Sequence, residues 1–322
     1  MSSESPLVTV LMCVYNDDKF VGQAIESILA QDFSDYEFII VDDGSTDRTP
    51  EILRQYAARD SRIIIHRQAN SGTTVAANQG LALARGTLVA RLDSDDISFS
   101  HRLREEVALL TSNPDVALVG GGAEIIDTAG HVIGVRSIFT RNPVRTLRHR
   151  CIYQQSDVMF RRELVVGLGG YREKFRNAQD YDLWLRISEV AKVAKLNQII
   201  GQWRLNGGGY TLSRMAEQKK EVAVIKRMAA RRRAGFSDGY ERYVPAPAPL
   251  HRKPIGPNDY NLVLAGVLLK SLRVDDARQL SLDILRSGVK LRLLVLFSMT
   301  FFPNWVLRAC WGVRERILNR FT

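Results

Sequence analysis

"TLVARLDSDD", residues 87–96, is a β-leaning apolar run that ends in three carboxylates within four positions. Asp93, Asp95 and Asp96 repel one another, and a chain leaving a buried strand has no structural need for so much negative charge. In extended chain, residues two apart point the same way, so Asp93 and Asp95 aim at one point while Ser94 faces away. Hard oxygen donors at a strand tip suit Mg²⁺ or Mn²⁺, which take few protein carboxylates and leave positions for phosphate oxygens. The competing reading is that Asp95 and Asp96 only favour the dipole of a helix beginning near Ser100.

Outward from this stretch, strand and helix patterns alternate. "PLVTVLMCVY" reads as a strand, and "VGQAIESILAQ" carries Val21, Ala24, Ile25, Ile28 and Leu29 at helical spacing. "YEFIIV", "RIIIHR" and "TLVARL" read as further strands, and "TPEILRQYAARD", "VAANQGLALARG" and "SHRLREEVALLTSN" as helices. This alternation predicts an α/β fold with a mostly parallel sheet flanked by helices on both faces. Ligands of such sheets sit at the carboxyl ends of the strands, where "YNDD", "DDGSTD" and "LDSDD" all fall. After about residue 116 the pattern changes. "VALVGGGAEIIDTAGHVIGVR" predicts strand, turn and strand around Ala129–Gly130. "RRELVVGLGGY" and "DYDLWLRISEVA" predict helices, and "LNQIIGQWRL" a strand.

Two more polar clusters admit two readings each. In "VDDGSTD", residues 41–47, a carboxylate at the strand end can accept hydrogen bonds from a base or ribose. Equally, Asp-Gly-Ser is turn chemistry, with Thr49 as a helix N-cap before Pro50. In "NAQDYDLWLRIS", residues 177–188, Asp180 and Asp182 precede a helix. They are either dipole partners of that helix or include a general base beside an aromatic platform.

Taken in order, these motifs resemble the family 2 inverting glycosyltransferases, with their GT-A fold. The resemblance runs from "VTVLMCVYND" through "AIESILAQDFSDYEFIIVDDGSTDRT" and "NSGTTVAANQGLALARGTLVARLDSDD" to "QDYDLWLR" and "WRLNGGGYTLS", roughly residues 7–213. It implies a nucleoside-diphosphate sugar donor, most simply a UDP-sugar. Tyr15 would lie against the base, Asp43 would hydrogen-bond it, Asp93 would sit near the ribose, and Cys13 would contribute backbone contacts. Asp95 would ligate the Mn²⁺ or Mg²⁺ that bridges the diphosphate, and Asp180 would be the catalytic base. Three positions depart from the family pattern: Gln179 where Glu is common, Ser100 where Pro is usual, and Asn206 where many members place a His. Asn206 can still offer a carbonyl oxygen to the metal.

Composition sets the remaining expectations. Residues 211–322 carry 21 Lys and Arg against 9 Asp and Glu, whereas residues 1–210 carry 24 against 26. The reading is a catalytic domain over 1–210 and a helical, basic region over 211–322 with a Pro-rich linker at 244–257. Within that region, "KRMAARRRAG" (226–235) is either a lipid-attracted polybasic stretch or a solvated helix face. Leu293–Leu307 is an uncharged run too short to span a bilayer, flanked by Trp and Arg. It suits either the membrane interface or a helix pair packed on the domain. A lipid-linked or saccharide acceptor and peripheral membrane contact follow, and no nucleic-acid motif is present. "YQQSDVMF" (153–160) reads as acceptor-lining or as an ordinary buried strand. Cys13, Cys151 and Cys310 have no metal spacing. With no signal peptide at the N-terminus, they point to a cytoplasmic location at the inner membrane face. A nucleotidyltransferase would want a Gly-rich phosphate loop, but "CVYNDDKFVGQ" has one Gly. A non-catalytic nucleotide-sugar-binding or scaffold protein is the other alternative, kept open by Gln179 and Asn206.

Overall fold

The computed structural model describes residues 5–136, 140–206 and 214–245, together with Leu264 and Val267. The chain forms two compact units. One comprises residues 1–123, 137–203 and 216–248; the other comprises 124–136, 204–215 and 249–322.

The first unit is built on a parallel ladder. Strands β1 (Val8–Val14), β2 (Tyr36–Asp42), β3 (Ile63–Arg67) and β4 (Leu88–Asp93) lie in the order β3-β2-β1-β4. All three pairings are parallel, with Cys13 in register with Val41 on one side and Asp93 on the other. Nearly every residue of β1 and β2 is buried, as a strand covered on both faces requires. Alternation along β1 then sorts two cores. Val10 and Met12 pack with Ala24, Ile25 and Ile28 of α1 (Val21–Leu29) and with Leu103, Val107 and Leu110 of α4 (Arg102–Ser112). Leu11 packs on the opposite side, in a cluster with Ala76, Ala77 and Leu81 of α3 (Thr73–Leu83). The remaining crossover helix, α2 (Thr49–Arg59), sends Leu53 into the first cluster. The α/β layout expected from the sequence is present.

Beyond β4 the sheet becomes mixed. β8 (Val158–Arg161) runs antiparallel to β4, and β6 (Val116–Ile126) antiparallel to β8. β9 (Lys192–Arg204) and the two-residue β5 (Ile97–Ser98) follow, also antiparallel to each other. The sequence reading missed β5 and the seven-residue helix α5 (Pro143–His149). The stretch 153–160 contains a strand, as its plainer reading had it, preceded by a 3₁₀ turn at Gln155–Asp157. Helices α6 (Arg162–Gly167) and α7 (Gln179–Val190) are where the sequence placed them. In the second unit, the end of β6 turns through Asp127–Gly130 into β7 (Val132–Arg136), the expected strand–turn–strand. Leu205 N–H donates to Ile126 O at 2.7 Å in the same unit.

Helix α8 (Met215–Arg233) contains the basic run. Arg227, Arg231 and Arg233 are exposed, as a solvated face requires, while Arg232 is half-buried. Arg232 Nε lies 2.6 Å from Glu189 and its Nη1 2.9 Å from Asp238. Arg233 lies 3.6 Å from Glu189, and Arg231 donates to Ser237 O at 2.8 Å. Residues 207–213, most of the Pro-rich stretch and the apolar-basic segment 289–321 lie outside the described residues. Among the described residues no helix is long and apolar enough to cross a membrane.

One ion pair is entirely enclosed. Arg102 and Glu106 are both fully buried, with Arg102 Nε donating to Glu106 Oε2 at 3.0 Å. The same guanidinium donates to Ser98 Oγ, Arg91 O and Val158 O, joining α4 to β5, β4 and β8. Burial pushes the Glu106 carboxyl up to about 7, against the pull of Arg102. A carboxyl raised in the fold stabilises it fully below the unfolded pKa and loses that contribution as pH rises through the folded value. Unfolding free energy is therefore expected to fall between about pH 5 and pH 8, and Glu106→Gln to flatten that slope, in urea titrations at a series of pH values. A second expectation concerns Gly86, where an added Cβ would stand 2.4 Å from Thr9 N and 2.6 Å from Val8 C. Backbone cannot yield as a side chain can, so Gly86→Ala should destabilise by about 1–3 kcal/mol in the same assay.

Candidate active site

The ladder reverses direction between β1 and β4, because the chain adds β2 and β3 on one side of β1 and returns to its other side for β4. Such a switch point opens a crevice at the carboxyl ends. Cys13 and Asp93 face each other in register there.

The tip of β1 is joined to the loop after β2 by a run of consecutive bonds. Asn16 N donates to Ser45 Oγ at 3.0 Å, Asp17 N to Thr49 Oγ1 at 2.9 Å, and Asp18 N to Asp47 Oδ2 at 3.1 Å. Asn16 returns the contact by accepting Thr46 N at 2.7 Å. Asn16 has φ of 51°, a left-handed conformation that Asn tolerates better than most residues. Thr49 is the first residue of α2 rather than its N-cap, and its hydroxyl serves the β1 tip; Asp47 accepts Thr49 N at 2.9 Å instead. Tyr15 sits half-buried in this junction.

Asp43 is 3% exposed and heavily engaged. Its Oδ1 accepts Gln68 Nε2 at 2.8 Å and Ser71 N at 2.9 Å, and its Oδ2 accepts Gly72 N at 2.8 Å. A carboxylate offers about four acceptor positions, so one remains for a base. Asp42 is equally buried, accepting Ser45 N at 2.8 Å with Arg67 3.4 Å away.

The tip of β4 separates its three acids. Asp93 keeps 44% of its side chain exposed, and Asp95 is half-buried. Asp96 is 2% exposed and accepts the Ser156 hydroxyl, whose oxygen in turn accepts Asp93 N at 3.0 Å. Ser94 donates to Asp17 Oδ2 at 2.6 Å, tying this tip to that of β1. β5 intervenes before α4, and Asp96 bonds to Ser156, so the helix-start reading of these acids fails for Asp96.

Beneath Asp93 lies Arg91, which the sequence reading passed over. It is fully buried, with Nη1 donating to Leu11 O at 2.7 Å and lying 3.7 Å from Cys13 Sγ, and Nη2 3.7 Å from Asp93 Oδ1. Burial pushes the Asp93 carboxyl up, and Arg91 pulls it down. Burial likewise raises the Cys13 thiol, again against Arg91. The available signal was a lone charge inside an apolar strand, which demands buried partners.

Asp180 stands in the first turn of α7, where its Oδ1 accepts Tyr181 N at 2.7 Å. Asp182 is a structural ion-pair partner, fully buried, 2.8 Å from Arg186 and 3.6 Å from Arg172. Trp184 is no platform for a ligand. It is fully buried, its ring centroid 5.9 Å from that of Phe160 and 6.4 Å from that of Tyr171. Tyr171, also missed from sequence, packs edge-on against Trp184 and bonds through its main chain to Asn78 of α3. Its hydroxyl is buried with no hydrogen-bond partner. Burial raises the phenol well above its ordinary range, and the charges it feels are those of Arg91, Cys13, Asp180 and Asp93. Asn206 follows β9 in the second unit.

Among the described residues no group of three or more His, Cys, Asp or Glu side chains is gathered to hold a metal alone. The donor set still fits a hard divalent cation, because Asp93 and Asp95 offer carboxylate oxygens at the β4 tip and neither is fully buried. Mg²⁺ is typically bound through one or two carboxylates plus substrate phosphates.

Comparison with known proteins bears on this arrangement. The family model for glycosyl transferase family 2 matches residues 9–167. The chain is 36% identical over 191 residues to EpsE of Bacillus subtilis (strain 168), covering 58% of this chain and 68% of that protein. It is 31% identical over 183 residues to the O-antigen biosynthesis glycosyltransferase WbnJ of Escherichia coli, covering 56% and 71%. Among solved structures, the mannosyltransferase PcManGT from Pyrobaculum calidifontis, in complex with GDP-Man and Mn²⁺, matches with a TM-score of 0.57 at 18% identity, over 98% of this chain and 86% of that one. S. aureus TarS 1-349 in complex with UDP-GlcNAc gives 0.54 at 16% identity, over 90% and 89%. These structural matches share the fold.

Removing the Ser156 hydroxyl takes one donor away from the buried Asp96 carboxylate. Ser156→Ala is expected to destabilise by about 1–3 kcal/mol in urea unfolding. Ser94→Ala, whose partner Asp17 is half-buried, should lose less.

Proposed function

The chain belongs to glycosyltransferase family 2, and from that premise we propose an inverting transfer from a nucleoside-diphosphate sugar to a hydroxyl of a saccharide or lipid-linked acceptor, in the synthesis of a cell-surface polysaccharide. The observation that carries this reading is the set of acids at the carboxyl ends of β2 and β4, on either side of β1, with Asp43 buried and Asp93 partly exposed. Donor chemistry needs a nucleotide end and a base end, roles that Asp43 and Asp93 on one side and Asp180 on the other would fill. That PcManGT is seen with GDP-Man and TarS with UDP-GlcNAc supports a nucleotide-sugar donor. The O-antigen role of WbnJ supports the polysaccharide product.

On the nucleotide side, Tyr15 would flank the base and Cys13 would line it with backbone, while the last acceptor position of Asp43 would take a base N–H. Asp93 would meet the ribose with its exposed carboxylate. Asp95 would hold Mn²⁺ or Mg²⁺. The bound cation would supply charge neutralisation of the diphosphate leaving group. On the acceptor side, Asp180 would take the proton of the acceptor hydroxyl. Its oxygen would attack the anomeric carbon opposite the departing diphosphate, an in-line displacement that inverts configuration through an oxocarbenium-like state. Gln179 in place of an acid leaves Asp180 with one fewer carboxylate beside it, which favours its ionised, proton-accepting form.

The test is release of nucleoside diphosphate from a panel of UDP-, GDP- and dTDP-sugars with Mn²⁺ or Mg²⁺. One donor is expected to turn over, and chelation by EDTA to stop it. Asp180→Asn should lower the rate by about 10²–10⁴-fold while retaining donor binding in calorimetry. Asp95→Ala should lose both. If no donor turns over, even with membrane extract as the acceptor source, while a nucleotide still binds, the transferase reading fails and a binding protein remains.

A further inference from the structure

Helix α7 starts without a cap of its own. The residue before its first turn is Ala178, which has no polar side-chain atom, and no side-chain cap is made from that position. The orphan amides of a helix start need an acceptor from elsewhere. For the N-cap amide of Ala178, and for the two amides before it, the acceptor comes from α8. Glu221 Oε2 accepts Asn177 N at 2.8 Å, Ala178 N at 3.1 Å and Arg176 N at 3.2 Å. Its Oε1 accepts Asn177 Nδ2 at 2.7 Å and Arg176 N at 3.2 Å. Three successive backbone N–H groups thus converge on one carboxylate, the concave arrangement that binds anions. Glu221 is 7% exposed, and Gln218, one turn earlier on α8, donates to Asn177 O at 2.9 Å.

The far end of α8 is fixed to the same helix. Arg232 and Arg233 both pair with Glu189 in the last turn of α7. Glu221 and Arg232, eleven residues apart on α8, thus meet the N-cap Ala178 and Glu189, eleven residues apart along α7 and its cap, so the two helices run side by side in the same direction. Ile225, Met228 and Ala229 join Leu183, Trp184 and Ile187 in one core cluster. Asp180 lies two residues beyond the cradle, on a helix held at both ends.

We propose that Glu221 is a positioning residue, filling the cradle of residues 176–178 and thereby setting where α7 begins and where Asp180 stands. The inference rests on the role of Asp180 given above. It makes the basic helix α8 a working part of the base side of the site, acting through main-chain hydrogen bonds rather than through its positive charge. A carboxylate suits the place because, among the described residues, the groups that hydrogen-bond it are all N–H donors. A glutamine would turn its own NH₂ toward some of them, so an isosteric change is enough to disturb the cradle.

The experiment compares wild type with Glu221→Gln, Asp180→Asn and the double variant in the full chain, using the donor identified above. A misplacement of about 1 Å can lower a rate by about 10²-fold, so Glu221→Gln should lower kcat to that degree and leave donor KM near that of wild type. In the Asp180→Asn background the same change should lower the rate no further, because the group it positions is gone. Backbone amide exchange at Asn177, Ala178 and the first turn of α7 should accelerate in Glu221→Gln while exchange in β1 and β4 does not. Full additivity of the two substitutions, or a wild-type kcat in Glu221→Gln, overturns the positioning role. Unchanged exchange at Asn177 and Ala178 overturns it without reference to any donor. A wild-type chain that turns over no donor removes the transferase reading, and the catalytic half of this inference with it.

Discussion

A guanidinium sealed inside a sheet must find partners for its charge and its donors, and Arg91 finds them in the places that define the site. It reaches back to the main chain of β1 at Leu11, touches the sulfur of Cys13, and underlies the carboxylate of Asp93. Its own carbonyl accepts a second buried guanidinium, Arg102, which in turn reaches β5 and β8. Leaving either cation without a partner in such surroundings is strongly destabilising. The two arginines therefore hold the β1 and β4 tips, and the turn into β8, in one arrangement. The acids at the surface rest on a foundation of positive charge that solvent does not reach.

Around that foundation the loops are fixed by side chain to main chain bonds. The amides of Asn16, Asp17 and Asp18 are each bound by a side chain from the loop after β2, and Ser94 and Ser156 tie the β4 tip to its neighbours. Many of the polar residues in the crevice thus build the loops, which leaves fewer to meet a ligand. Asp42, Asp47, Asp96 and Asp182 belong to the first group. Asp93 keeps its carboxylate partly exposed, and Asp43 has three acceptor positions occupied by its own chain.

The strands and crossover helices were legible because their signals are local. A β-branched run such as "VTVLMCV" and a helical repeat such as Val21, Ala24, Ile25 and Ile28 declare themselves within ten residues. β5 and α5 escaped because two or seven residues hold too little periodicity. The acids at the strand ends were legible as a group, but their division of labour was not. Nothing near Asp96 in the sequence announces Ser156, sixty residues away, and nothing near Asp180 announces Glu221. Thr49 looked like a cap because Thr before Pro usually is one, and here Asp47 took the bond first. Trp184 looked like a platform because an aromatic beside an acid invites that reading, whereas the same face is needed to close the core against Phe160 and Tyr171. Local chemistry proposes partners, and tertiary packing chooses among them.

The parallel course of α7 and α8 bears on how such a chain can change its parts. The sheet and its crossovers end near residue 203, and a boundary drawn there would separate a nucleotide-binding half from everything after it. The carboxylate in the cradle before α7 lies beyond that boundary, as do the arginines that secure the other end of α7. A lineage that exchanged its C-terminal third for a foreign segment would also surrender five hydrogen bonds at the head of the helix that bears Asp180. The incoming segment would have to bring an acid at the same height. A breakpoint after α8 would leave those bonds intact.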